Sequence, residues 1–461
     1  MNAERTFHAF PLNNFPASPW QIATLITAIA VGFAFFSLEV APTAIFAATF
    51  GIAAAIALIF YPEVALALYV VVGDVKGDDR IASLLPVDFT IALGAILLIG
   101  IAVNLLRKKP VLSPPPVYFL YVVLVAMMAA SLTYTPVLGA GVEKLGRFLT
   151  FTAIVIVAPF FVLGTRRAMT RFLGGFCVAA FAICACSLTG LEGTERLESL
   201  SGNTIGLGHV ACALLIVIWF GVLPQLSFRR RVLLYPLLAV PAIALIGSGS
   251  RGSVIALGLA LLLGIYFYRR LALDLLCLAT LGLLALPLAG LPRASLDYLA
   301  TLTQSTNLEG LLSFRTALLA YGWHLLQRHP LFGVGLGGYR YSSPNPGLYK
   351  WPHNIFLEVA CEVGIPAAML VFAIFFSAIR EAFRQVMDRL TPGFAFSLLA
   401  AALLLSGIIN GLNTGDINSD RLTWLFVALV FVVRGLRHKL HGDSSEHRSF
   451  QNVNHFSMAC E

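Results

Sequence analysis

The chain has 461 residues, of which 58% are hydrophobic and only 12% charged, against roughly 25% charged in an ordinary soluble domain. That composition excludes a water-soluble globular protein. The net charge of +8 reads as membrane topology and not as nucleic-acid binding, because the Lys and Arg residues collect in alternate loops.

Residues 1–19 lack the basic region, short apolar core and small-residue cleavage site of a secretory signal, so the first span is expected to target the chain. Apolar runs such as FTIALGAILLIGIAVNLL and LTWLFVALVFVV recur from residue 20 onward. At about twenty residues per crossing they predict an all-α polytopic membrane protein of about twelve to fourteen transmembrane helices. Tyr61-Pro62-Glu63 is either a tight turn between two spans or a break within one.

Alternate loops hold Arg107, Lys108 and Lys109, then Arg166, Arg167 and Arg171, then Arg229 to Arg231, Arg269 and Arg270, and Arg380, Arg384 and Arg389. This set is expected to be cytoplasmic. The basic tail falls on the same side, and so does the N-terminus if the span number is even. The resulting organisation is a cytoplasmic N-terminal segment (1–19), a transmembrane bundle with short loops (20–290), a large periplasmic loop (291–354), C-terminal transmembrane helices (355–436) and a cytoplasmic basic tail (437–461). Of the seven cysteines, Cys177, Cys184, Cys186, Cys212, Cys277 and Cys361 lie in or beside spans and Cys460 in the tail. Their spacing fits neither metal ligation nor disulfides, and they read as small apolar filler.

A loop as long as 291–354 is usually functional. Within it, apolar residues at Leu311, Leu312, Leu318, Leu319, Trp323 and Leu326 have the spacing of an amphipathic helix at the membrane surface. Next comes Gly333-Val-Gly-Leu-Gly-Gly338, with the G-x-G-x-x-G spacing of a dinucleotide-binding loop. Such a loop needs a strand before it and a helix after it. The flanks here are a helix broken by Pro330 and a turn-like YRYSSPNPG segment, so no nucleotide is expected, and the glycines are read as permitting a tight irregular backbone.

The groups able to do chemistry collect on the outer side: Arg196, Arg251, Arg315, Arg328 with His329, Arg340 with Lys350, and His353. Arg251 follows the turn Gly247-Ser-Gly-Ser250 and opens a span, so its charge sits at the positive end of a helix. A bound anion would reverse that sign, with free N–H groups and the hydroxyls of Ser248, Ser250 and Ser253 converging on it. The alternative is an interfacial Arg held by lipid headgroups or a carboxylate. Asn354 is suited to cap a helix starting at Ile355, and His353 is then either merely the preceding residue or a titratable group at the membrane boundary. Glu358 and Glu362, one turn apart, are placed to orient that imidazole, to pair with an Arg, or simply to face other helices. Arginines with one neutral histidine suit transfer from a phosphate or diphosphate leaving group. The nearest acidic cluster, Asp74, Asp78 and Asp79, reads as a solvated loop.

In the order and placement of these features the sequence resembles the O-antigen ligases (WaaL-type), within the superfamily of O-antigen ligases and polymerases. R-x-x-x-L is met by Arg315 to Leu319. H-[NSQ]-x9-G-x-x-[GTY] is met from His353 through Asn354 to Gly364, but its last position is Ala367. The resemblance covers residues 190–380. It implies a metal-independent glycosyltransferase, with no cofactor, in the bacterial inner membrane. The donor would be an undecaprenyl-diphosphate-linked glycan and the acceptor a lipid A–core hydroxyl, among membrane lipids at the periplasmic face. His353 would be the base, with Arg196, Arg251 and Arg315 on the diphosphate and Asn354, Glu358, Glu362, Arg328 and Arg340 supporting. An O-antigen polymerase and a protein O-oligosaccharyltransferase share this motif neighbourhood. A flippase, from a different class, fits less well, because the spans are nearly uncharged and no internal repeat is evident.

Overall fold

The computed structural model describes residues 43–75, 88–189, 196–268, 305–343, 350–388, 393–413 and 416–457. Among them the chain is helical, without strands. In order the helices are α1 (Thr43–Phe60), α2 (Pro62–Val71), α3 (Phe89–Leu106), α4 (Phe119–Ala130), α5 (Leu138–Arg147), α6 (Ala153–Val162), α7 (Arg166–Ser187), α8 (Thr204–Val217), α9 (Phe228–Gly247) and α10 (Arg251–Phe267). They continue with α11 (Ser305–Arg328), α12 (Gly338–Tyr341), α13 (Ile355–Val363), α14 (Ile365–Met387), α15 (Phe394–Asn413) and α16 (Arg421–Ser457).

Eight helical stretches among the described residues are long and apolar enough to cross a membrane, or nine if α1 and α2 form one bent span. The chain is thus a multi-pass membrane protein. Helix α10, with 17 residues, falls just short of that length. The expected spans near residues 20–42 and 269–304 lie outside the described residues, as do Asp78 and Asp79. Tyr61 marks a sharp turn, since the helices on either side are bent by 115°. Pro62 opens α2, where its missing N–H is not needed.

Helices α5 and α6 form one span, Leu138–Val162, through a π-turn at Phe148–Thr152. The widened turn frees a carbonyl that Tyr69 satisfies, its hydroxyl donating to Thr150 O at 3.0 Å. Small residues let the helices approach. A Cβ on Gly208 of α8 would lie 2.5 Å from Ser250 Cβ, and one on Gly264 of α10 would lie 2.8 Å from the Phe220 ring. At the centre, fully buried Trp424 of α16 packs its ring against Tyr121, Phe148 and Phe375 at 5.6, 6.3 and 5.3 Å.

The bundle has two unlike ends. At one, the basic loops meet: Arg171 Nη1 donates to buried Glu63 at 2.7 Å, Arg107 lies over the Phe60 ring, and Lys439 reaches Val111 O. At the other, the loops after α4, α7, α9, α11 and α15 interlock, and this end carries the predicted site.

Candidate functional site

Helix α9 ends at Gly247 and α10 begins at Arg251, as the sequence predicts. The segment after α7 lies along this turn: Leu197 N donates to Gly247 O at 2.8 Å, and Arg196 donates from Nε and Nη2 to Ser248 O, the first at 2.8 Å. Arg196 thus binds the carbonyl end of α9, where a cation is favourable, beside the start of α10. The three serines do not form the expected anion cradle. Ser248 Oγ donates to Leu245 O at 2.7 Å and accepts from Ser250 N, Ser250 and Ser253 share a hydroxyl contact of 2.9 Å, and Ser253 Oγ reaches Asn410 Oδ1 at 3.3 Å. All three are buried, and their hydrogen bonds close the helix junction instead.

The last turn of α15 connects this junction to the histidine. Gly252 faces Asn410 and Asn413, while Asn354 Nδ2 donates to Leu412 O at 3.4 Å. Arg251 and His353 therefore begin helices packed against the same helix end.

Asn354 caps α13 as predicted, its Oδ1 accepting from Leu357 N at 3.0 Å. His353 has φ +55, a left-handed conformation uncommon outside glycine and typical of functional strain. Its Nδ1 is buried without a hydrogen-bond partner, as is Nε1 of Trp351, and the two rings stand 6.0 Å apart. Burial, and after it the positive charge of Arg315, hold the His353 imidazole below its ordinary value. At neutral pH it is the uncharged form, able to accept a proton.

Arg315 lies exposed on α11, the helix that the apolar spacing predicts. That helix packs on α13, where a Cβ on Gly322 would meet Leu357 at 3.0 Å and Cys361 Sγ donates to Gly322 O at 3.0 Å, and on α12, where Tyr339 Oη donates to Leu318 O at 2.8 Å. The opposite side keeps Leu319 and Trp323 exposed. Arg328, in the last turn of α11, and Arg340, with its guanidinium 5.6 Å from the Tyr341 ring, are exposed and stand off this contact.

The glycine loop uses its own backbone donors. N–H groups of Gly333, Val334, Gly335, Leu336, Gly337 and Gly338 go to His329 O, Cys361 O, Glu362 O, Ser131 Oγ, Glu362 Oε2 and Gly335 O. Gly335, at φ +89, would carry a Cβ 2.3 Å from Thr135 Cα, so close approach requires glycine. One helical turn, α12, does follow the loop, contrary to the turn-like reading, yet no donor is left to hold a phosphate.

Two expectations change around α13. It does not open a span, because it ends after nine residues at Gly364 (φ +100), where a Cβ would fall 2.0 Å from Leu331 O, and the span starts afresh at Ile365. Glu358 and Glu362 neither bond to His353 nor pair with Arg among the described residues. Both bind Lys144 of α5, Glu362 at 2.7 Å. Glu358 Oε2 also accepts from Ile417 N at 3.0 Å, and Asn418 Nδ2 donates to Lys144 O at 3.0 Å. The sequence reading passed over Lys144, although a Lys in an apolar span is itself a signal of function or pairing.

Residues 236–372 match a family model described as O-antigen ligase. That segment is similar to the O-antigen ligases. A search of curated proteins gave no match. The matched segment contains Arg251, Arg315, His353, Glu358 and Glu362, while Arg196 and Lys144 reach it from outside.

Proposed function

We propose that the chain is an O-antigen ligase that moves a glycan from undecaprenyl diphosphate to a lipid A–core hydroxyl at the periplasmic face of the inner membrane. The carrying observation is His353: strained, neutral at physiological pH, its Nδ1 free of protein partners, and under the field of Arg315. In the reaction, the acceptor hydroxyl loses its proton to the imidazole while its oxygen attacks the anomeric carbon of the donor. The bond from that carbon to the diphosphate oxygen breaks, and undecaprenyl diphosphate departs with the electron pair. A single displacement of this kind inverts the anomeric centre. The positioned base contributes roughly 10²–10⁴-fold. Arg315 stabilises the charge growing on the diphosphate, with Arg251 and Arg196 completing the positive rim and Trp351 offering its ring and N–H to a sugar.

The test is a strain lacking the protein, in which the lipopolysaccharide ladder and the polyprenyl-linked glycan pool are compared before and after complementation. Loss of the ladder with accumulation of long polyprenyl-linked chains supports ligation. Single-unit caps remaining on the core identify a polymerase. An unchanged ladder sinks both.

A further inference from the structure

Helix α13 carries the proposed base at its leading edge, yet its length alone does not fix it. It has nine residues, too few for a stable isolated helix, and positive-φ links at His353 and Gly364 flank it. Its C-terminal carbonyls, Cys361 O and Glu362 O, are held by the glycine loop, and the rest of its orientation is set by the side chains it packs with. One face meets α11, through Leu357 and Cys361 against Gly322. The other carries Glu358 and Glu362, 1% and 3% exposed, both on the ammonium of Lys144.

A buried ion cluster is weak grounds for stability, since well-packed apolar residues often do as well or better. What it supplies here is direction. Through its bonds the cluster joins α5, α13, the glycine loop at Gly337 N and the α15–α16 loop at Ile417 N. Of these segments, α5 lies far from the other three along the chain.

We infer that Lys144, acting through Glu358 and Glu362, is a positioning residue that holds His353 in register with Arg315; the catalytic consequence rests on the transfer reading above. A displacement of about 1 Å in a catalytic group lowers the rate by roughly a hundredfold. Lys144→Met should therefore lower kcat by about that factor and leave KM for the donor unchanged. The variant also buries two unpaired carboxylates, so loss of fold must be separated from loss of register. The triple variant Lys144→Met, Glu358→Gln, Glu362→Gln removes those charges while its amide oxygens still accept from Ile417 N and Gly337 N.

The experiment compares wild type, single and triple variants in nanodiscs, by thermal midpoint, by transfer kinetics and by hydrogen–deuterium exchange of the peptide covering residues 350–364. The inference predicts faster exchange in that peptide for the single variant, and a triple variant that regains the midpoint but not kcat. Recovery of both would make the cluster purely structural and overturn the inference, as would a wild-type rate in the single variant. Faster exchange in the single variant, with no transfer even by the wild type, would uphold the clamp and overturn the transfer reading instead.

Discussion

Two ion-paired cations, one near each end of the bundle, are used differently. Arg437 of α16, at the basic end, is bound through both terminal nitrogens: Nη1 donates to Gln385 O and Ser397 Oγ, and Nη2 to Asp388 O and Oδ2, at 2.7 to 3.0 Å. Lys144, at the other end, is paired as well, but beside the helix it holds, His353 and Trp351 retain buried ring nitrogens without partners. Buried polar atoms are normally satisfied. Gln385 Oε1 beside Arg437 is orphaned too, so what sets the other end apart is that its unsatisfied ring nitrogens adjoin a histidine at φ +55, which the proposed reading takes as the place of the substrate.

That contrast breaks if variants at the two ends behave alike. On the proposed reading, replacing Arg315 by Gln removes a charge-assisted contact to the diphosphate, worth about 1.5–3 kcal/mol, or roughly tenfold to a hundredfold in rate. The thermal midpoint should hardly change. Arg437→Leu orphans buried acceptors at about 1–3 kcal/mol, so it should lower the midpoint and leave the rate per folded molecule unchanged. If instead Arg437→Leu slows transfer by folded protein, the two ends are coupled and the division fails. The smallest effect is expected for Asn354→Ala, which loses an N-cap at about 1 kcal/mol and should cost stability and rate together, since the cap adjoins the base.

The pH dependence of the Arg315 variant sharpens the same point. The imidazole is held below its ordinary value first by burial and second by Arg315. Removing the guanidinium relaxes it upward only in part. The acid limb of the rate profile, where the base becomes protonated, should therefore move to higher pH, with the deficit largest at the acid end of the range.

What the sequence made legible was local. The start of α10 at Arg251, the Asn354 cap, the helix bearing Arg315 and the role of the glycines each depend on neighbours a few residues away. The Lys144 cluster is hidden in the sequence because Lys144 lies more than two hundred positions from Glu358 and Glu362, so local spacing leaves the partner of the acids open. The serine hydroxyls near Arg251 were misread for a related reason: their partners, Leu245 O and Asn410, become visible only once α9, α10 and α15 are packed. Gly364, read as a motif position inside a span, is the break that isolates α13, because Leu331 O leaves no room there for a side chain.

The central claim is that His353 is the base. Its most direct test is the pH–rate profile of transfer between a purified polyprenyl-diphosphate glycan and lipid A–core, for wild type and for His353→Ala. The account predicts a wild-type rate that rises with pH through an apparent pKa below 6.5, the ordinary imidazole value. It predicts a variant slower by about 10²–10⁴-fold that lacks this limb. A His353→Ala enzyme that keeps both the rate and the limb would contradict it.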